Sequence, residues 1–457
     1  MNQSRDERLG TQPIPKLMLS LAIPSVIAQL INVLYNIVDR MYIGRIAEVG
    51  DLALTGVGLT FPILMLISAF SAFVGAGGAP LAAIQLGKGN KEKAEQILGN
   101  GVTVLLFFSV VLTAFFAIFK TPLLYMFGAS DKTIVYAEQY ISIYLIGTIF
   151  VQVALGLNMF ISSQGQAKVA MFSVLIGAVI NIVLDPFFIF LFDMGVRGAA
   201  LATILSQAVS AVWVVRFLLS SKSSFQIKKK YLKPNMSLIM SIAALGISPF
   251  IMQATESAIN IVLNSGLQKY GGDLYVGSMT ILQSVMQLIV IPIQGFTQGV
   301  QPIISYNFGA GKFDRVKKTY RITMIVTLII SITACFLTTQ FPRIFAGIFT
   351  NKEELIALVV QVMPIFMAGI GVFGLQMGCQ TTFLGLGQAK ISLFIALLRK
   401  VILLIPLALI LPAINGNVMG IYYAEPISDI IAATTAFLIF VVTKKKILSK
   451  ESLEKFS

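Results

Sequence analysis

Twelve stretches of predominantly apolar residues constrain this chain more than any other feature. They lie at residues 17–38, 52–79, 99–119, 138–162, 169–192, 198–220, 237–265, 274–304, 322–341, 354–384, 391–414 and 417–443. About 20 such residues in a helix cross a bilayer with every backbone N–H and C=O satisfied within the segment. Only 12% of the residues are charged and the mean hydropathy is +0.86, against about 25% charged in a soluble domain. The chain therefore reads as an all-α polytopic membrane protein of twelve transmembrane helices. Several stretches exceed the minimum length, so tilt or extension beyond the bilayer is expected.

The net charge of +14 could suggest a nucleic-acid partner, but its distribution argues for a membrane topology signal instead. With a cytoplasmic N-terminus, the inside segments hold 23 Lys and Arg and the outside segments 8. Cytoplasmic loops carry the excess of basic residues, so both termini are expected in the cytoplasm of a multi-pass cell-membrane protein. No histidine is present, which removes His proton relays and His-ligated metals. Cys335 and Cys379 sit inside apolar stretches and read as packing residues rather than a disulfide.

An internal repeat follows. Gly165-Gln166-Ala167-Lys168 recurs as Gly387-Gln388-Ala389-Lys390, an offset of 222, and Pro80, Gly87, Val196, Gly198 and Ser206 map at that offset to Pro302, Gly309, Val418, Gly420 and Ser428. A period this long means duplicated halves rather than a solenoid. Each half has six spans and so enters from the same side. Two pseudo-symmetric six-helix lobes are expected, related by an axis along the membrane normal, with the substrate path between them. The lobes are residues 1–220 and 237–457, the second with a basic cytoplasmic tail, joined by a lysine-rich cytoplasmic linker at 221–236.

Polar side chains inside apolar spans are costly and mark ion or substrate pathways. Asn181 and Asp185 stand at i and i+4, on one helix face, and Pro186 follows, which leaves a carbonyl about four residues back available. Thr203 enters the next span at a similar depth. Span one carries Gln29, Asn32, Asn36 and Asp39 in one stripe, and span seven carries Gln253, Glu256, Asn260 and Asn264 at an offset near 224. Asp39, Asn181, Asp185 and Thr203 share a depth in the first half, where they form a candidate cation site. Their oxygens can coordinate Na⁺, and carboxyls withdrawn from water can exchange a proton. For Asn181 and Thr203 alone, plain interhelical hydrogen bonding is an equal reading. Asn32, Asn36, Gln253, Glu256 and Asn260 are cavity candidates. Glu425 and Asp429, one helix turn apart, are weaker ones. Arg399 and Lys400 lie about ten residues into span eleven, where one of them is expected to pair with a nearby acid, with snorkelling toward the inner surface an equal expectation for Lys400.

Asp39, the Asn181-x-x-x-Asp185-Pro186 run, the Gly198 to Thr203 entry, the paired Gly-Gln-Ala-Lys turns and the 422–429 stretch YYAEPISD together resemble the multidrug and toxic compound extrusion (MATE) family. The resemblance covers nearly the whole chain. It is closer to the MepA-like and DinF-like prokaryotic branch than to the NorM type, whose span-ten carboxylate has no counterpart among residues 363–384. It implies export of cationic or amphipathic drug-like molecules, driven by inward flow of Na⁺ or H⁺, with no cofactor and no catalysis. It also assigns Asp39, Asn181, Asp185 and Thr203, with the Ala199 carbonyl, to the first-lobe cation site, and matches Glu256 to the family's span-seven glutamate. A two-lobed chain needs no second copy to make a pathway, so a monomer in contact with membrane lipid is expected. The rival reading is a flippase of lipids or lipid-linked oligosaccharides in the same wider superfamily, whose anionic substrate calls for a basic cavity. A membrane enzyme is the third, and it lacks the usual catalytic side chains.

Overall fold

The computed structural model describes residues 8–455, apart from the side chains of Ser257 and Asn415; Arg5 of the basic tally lies outside that range. Every apolar stretch is helical, and no strand occurs among the described residues. The twelve spans are, in order, Ile14–Gly44, Gly50–Gly87, Lys91–Met126, the bent pair Ile134–Ile146 and Thr148–Ser163, Ala167–Leu191, Val196–Leu219, Met236–Gly271, Asp273–Gly309, Phe313–Gln340, Glu353–Gly385, Ala389–Ile414 and Met419–Ile447. At 38 residues the second span rises about 57 Å, well past the ~30 Å apolar layer. Asparagine side chains begin two of the spans. Asn90 Oδ1 accepts from the Lys93 N–H at 3.1 Å, and Asn235 Oδ1 from the Ser237 N–H at 3.1 Å, satisfying amides that the helix cannot.

The repeat is visible as duplicated contacts. The fourth span bends by 61° at Gly147, where the side chain of Ile204 presses against the glycine. At the same register the tenth span breaks through a short 3₁₀ turn, Met367–Gly369, and there Pro426 presses on Gly369. The Asn158 Nδ2 donates to the Ala170 carbonyl at 3.3 Å, and its counterpart Gln380 Nε2 donates to that of Ser392 at 3.2 Å. Gly165 and Gly387 both turn with positive φ, 75° and 66°, a conformation open to glycine at no steric cost. One half folds as the other does.

The lobes meet reciprocally. Gly87 abuts the backbone of Tyr306, and its counterpart Gly309 abuts that of Ile84, the counterpart of Tyr306. This is the pattern a two-fold axis imposes. Gly77 likewise faces Gly246, and Gly299 faces Ala22. All these contacts lie toward the end of the bundle that bears the Lys- and Arg-rich loops. There the buried cores mix residues from both lobes, such as Leu17, Ile84, Ile303 and Phe440 or Val74, Leu98, Ile242 and Leu384. At the opposite end each core belongs to one lobe: Ile43, Phe116, Tyr140 and Ile204 in the first, Leu263, Val285, Val359 and Tyr422 in the second. The result is a cleft closed at the basic end and open at the other.

Termini and linker fasten that closed end. Arg315 Nη2 donates to the Gln12 carbonyl at 2.7 Å, and Lys88 Nζ to that of Leu453 at 2.9 Å. The linker is tied to the third span. Lys228 Nζ lies 2.6 Å from the buried Glu95 carboxylate, and Tyr231 donates its hydroxyl to Glu92 at 2.6 Å.

Candidate functional site

The fifth span carries the centre of the first-lobe cluster because Pro186 disturbs its turn. A π-helical segment, Phe187–Leu191, follows the proline directly, and Asp185 and Asn181 lie just before it, 0% and 1% exposed. The carboxyl of Asp39, on the first span, lies close enough to that of Asp185 for the two acids to act on each other. Asn181 Nδ2 stands 3.4 Å from Asp185 Oδ1. Asp39 Oδ1, Asp185 Oδ2 and Asn181 Oδ1 are buried with no protein hydrogen-bond partner. Three unpartnered oxygens from two helices, in a place where desolvation is costly, form a set that a small cation or proton can satisfy.

Thr203 joins this cluster through another residue. Its Oγ1 donates to the Ala199 carbonyl at 3.0 Å and lies near the Tyr140 hydroxyl, itself a neighbour of Asp39. Tyr35, four residues before Asp39 on the first span, shares its helix face. Neither tyrosine was among the site candidates that the sequence offered. Their one available signal was the i, i+4 spacing of Tyr35 to Asp39 and of Tyr140 to Tyr144.

Toward the basic end, a cavity of about 30 Å³ is lined by Asn32, Tyr35, Asn158, Gly177, Ala178 and Gln207, among others, enough for a water molecule. Asn36 Nδ2 donates back to the Asn32 carbonyl at 2.7 Å. At the boundary between lobes, Gln29 Nε2 donates to Gln298 Oε1 at 2.9 Å.

The second lobe places charges where the first has that cavity. At the repeat offsets, Asn32, Gly177, Ala178, Thr203 and Gln207 correspond to Glu256, Arg399, Lys400, Glu425 and Asp429. These five side chains pair. Arg399 donates from Nε to Asp429 at 2.6 Å and from Nη2 to Glu425 at 3.0 Å, and its guanidinium lies 4.9 Å from the centre of the Phe373 ring. Lys400 Nζ donates to Glu256 Oε2 at 2.6 Å. The snorkelling expected of Lys400 is not realised, because an acid on the neighbouring span is within reach and a partnered ammonium need not seek the interface. Gln253 is partly buried one turn before Glu256, and Asn260 Oδ1 accepts from Gln283 Nε2 at 2.8 Å. Both cysteines are free, and no cluster of metal-ligating side chains occurs among the described residues.

The MatE family model matches the chain twice, at residues 24–187 and at residues 249–410. Multidrug export protein MepA of Staphylococcus aureus is 24% identical over 448 residues, covering 97% of this chain and 98% of that one. The MepA of Staphylococcus saprophyticus is 25% identical over 433 residues, covering 94% of each. Among solved structures, a MATE in the bent conformation superposes with a TM-score of 0.89 at 23% identity, covering 99% of this chain and 98% of that one. A MOP superfamily transporter from Pyrococcus furiosus, described as having a binding pocket of reversed polarity, superposes with a TM-score of 0.89 at 22% identity, covering 97% and 98%. Two copies of one family model on two six-span lobes, with full-length relatives and a shared fold, place this chain in the multidrug and toxic compound extrusion family.

Proposed function

We propose that this transporter exports cationic or amphipathic drug-like molecules in exchange for an inward-moving Na⁺ or H⁺. The observation that carries this reading is the first-lobe cluster, in which Asp39, Asp185 and Asn181 each present a buried oxygen without a protein partner. The relatives named as multidrug export proteins support the substrate class. The positive-inside rule puts the basic loops, and with them both termini, in the cytoplasm. The closed end of the cleft is then cytoplasmic and the open end external.

Coupling follows as competition. A cation entering from outside neutralises Asp39 and Asp185, and the first span, which carries both Asp39 and the interlobe Gln29, shifts against the fifth. The cleft reshapes and releases drug outward, after which the lobes rock to open inward. This requires the cation to bind the two states with different affinity, since equal binding moves no equilibrium. One chain supplies both lobes and acts as a monomer. A flippase for a large anionic lipid fits the cleft less well. Of the buried charges, Arg399 and Lys400 are both neutralised by acids, and Asp39 and Asp185 add two more carboxyls.

The test is efflux of a fluorescent cationic dye from proteoliposomes, with Na⁺ and pH gradients imposed separately, for wild type and Asp39→Asn. Dye movement driven by one gradient and lost in the variant is expected, and it names the ion. Full gradient-driven transport by Asp39→Asn would refute the coupling site.

A further inference from the structure

The five-charge network of the second lobe is not uniform. Arg399 is held on two sides by carboxylates and capped by Phe373, and its side chain is 4% exposed. It is an anchor. Lys400 has one acid partner, is 7% exposed, and faces a glutamate whose side chain is 53% exposed. A lysine is a point charge on a flexible stem, able to leave one partner for another without the geometric loss an arginine fork would suffer. An incoming cation therefore meets the open side of Glu256 with only Lys400 behind it.

We propose that Lys400 is a tethered counter-cation: it occupies Glu256 in the resting cleft, and a monovalent cationic substrate binds Glu256 by displacing it. The inference rests on the reading of the cleft as a cation-export path. Two observations carry it beyond the pairing itself. First, the network holds three acids, Glu256, Glu425 and Asp429, against two bases. One additional positive charge balances that count of side chains, and Glu425, held by Arg399 at 3.0 Å on the adjoining span, is the network's next carboxylate for a released Lys400. Second, the repeat supplies an internal comparison. At the register of Glu256 and Lys400 the first lobe has Asn32 and Ala178 beside its small cavity, and that lobe's acids Asp39 and Asp185, farther along the spans, keep buried oxygens with no hydrogen-bond partner among the described residues. The first lobe thus leaves its cation to be supplied from solution, and the second carries its cation covalently. Lys400 sets a threshold. A neutral molecule gains nothing at Glu256, whereas a monocation replaces one ion pair by another.

Equilibrium binding of tetraphenylphosphonium to the detergent-solubilised full-length protein, without any gradient, tests this. Triphenylphosphine oxide serves as the neutral probe of similar shape. Lys400→Met is expected to bind the cation about ten-fold tighter, the size of one displaced charge-assisted contact. Lys400→Arg is expected to bind it more weakly, because the guanidinium fork holds the carboxylate harder. The neutral probe should be unaffected by either change, and the gain should vanish in the Lys400→Met, Glu256→Gln double variant. Glu256 keeps its open side when Lys400 is lost, so no buried charge is stranded. If Lys400→Met nevertheless fails to fold, unchanged or tighter cation binding by Lys400→Arg would overturn the proposal alone. Equal affinities in wild type and both variants would overturn it while gradient-driven dye efflux left the export reading standing. No cation binding by any of the proteins would overturn both. Tighter binding by Lys400→Met without gradient-driven efflux in wild type would uphold the lysine's role and refute the export reading.

Discussion

Replacing Gly299 by alanine should weaken the closed end of the cleft by an amount the structure sets. A Cβ at Gly299 would lie 2.5 Å from Ala22 Cα and 2.7 Å from the Leu21 carbonyl oxygen, where ordinary contact begins at 3.4 Å. The closest deficit, 3.4 less 2.5, is about 0.9 Å, and the atoms in the way are backbone, so no rotamer relieves it. Overpacking of this kind costs about 1–3 kcal/mol. The cost falls only on the state in which the first and eighth spans touch here, so the equilibrium should move about 5- to 150-fold toward a state in which they part. Gln29 and Gln298 face each other across the same boundary at 2.9 Å. Cysteines at these two positions, in a background with Cys335 and Cys379 replaced by alanine, report the closed state by their oxidative crosslinking rate. That rate, which follows the closed fraction, should fall in Gly299→Ala, by about 1.7-fold for a 5-fold shift that ends at equal populations and by up to the full shift where the closed state is the minor one. Gly77→Ala, the repeat counterpart whose Cβ would press on the Ile242 carbonyl oxygen even more closely and on Gly246 Cα at 2.9 Å, should act in the same direction. A folded Gly299→Ala protein that crosslinks at the wild-type rate would refute the argument that backbone approach holds the closed state together.

Three further outcomes can be checked. Asp185→Asn should abolish ion-driven dye efflux in proteoliposomes while leaving detergent thermostability close to wild type, because an amide replaces a carboxyl of the same size beside Asn181. Arg399→Leu should destabilise the protein by about 3–5 kcal/mol, since it strands the buried carboxylates of Glu425 and Asp429. Thermal unfolding should show the loss, and the Arg399→Leu, Glu425→Gln, Asp429→Asn triple variant should recover most of it. Tyr140→Phe removes the buried hydroxyl near Thr203 and should weaken coupling-ion affinity by about five- to ten-fold, on the scale of one hydrogen bond. Ion-dependent dye release measures that change, and wild-type ion dependence would mean the tyrosine only packs.

The twelve spans, their order and the repeat were legible in the chain because hydropathy over about 20 residues and helical spacing are local properties. So was the candidate cation cluster. An acid in an apolar span is costly wherever the span turns, and counting residues from the basic loops gives its depth. The sequence also paired Asn181 with Asp185, since i and i+4 always share a helix face.

Which way each span faces its neighbours is a different matter, and packing decides it. Lys400 could have run to the interface, and only the rotation of the eleventh span against the seventh puts its ammonium on Glu256. Arg399 gathers Glu425 and Asp429 because the twelfth span lies across the eleventh at that depth. Tyr140 and Tyr35 enter the first-lobe site because a bend at Gly147 and the pairing of the first span with the fifth bring them there. The closure of the cleft at the basic end is likewise tertiary, since nothing within one helix records which partner its glycines will meet. Depth along the membrane normal is encoded span by span, while azimuth around it emerges only when twelve helices pack at once.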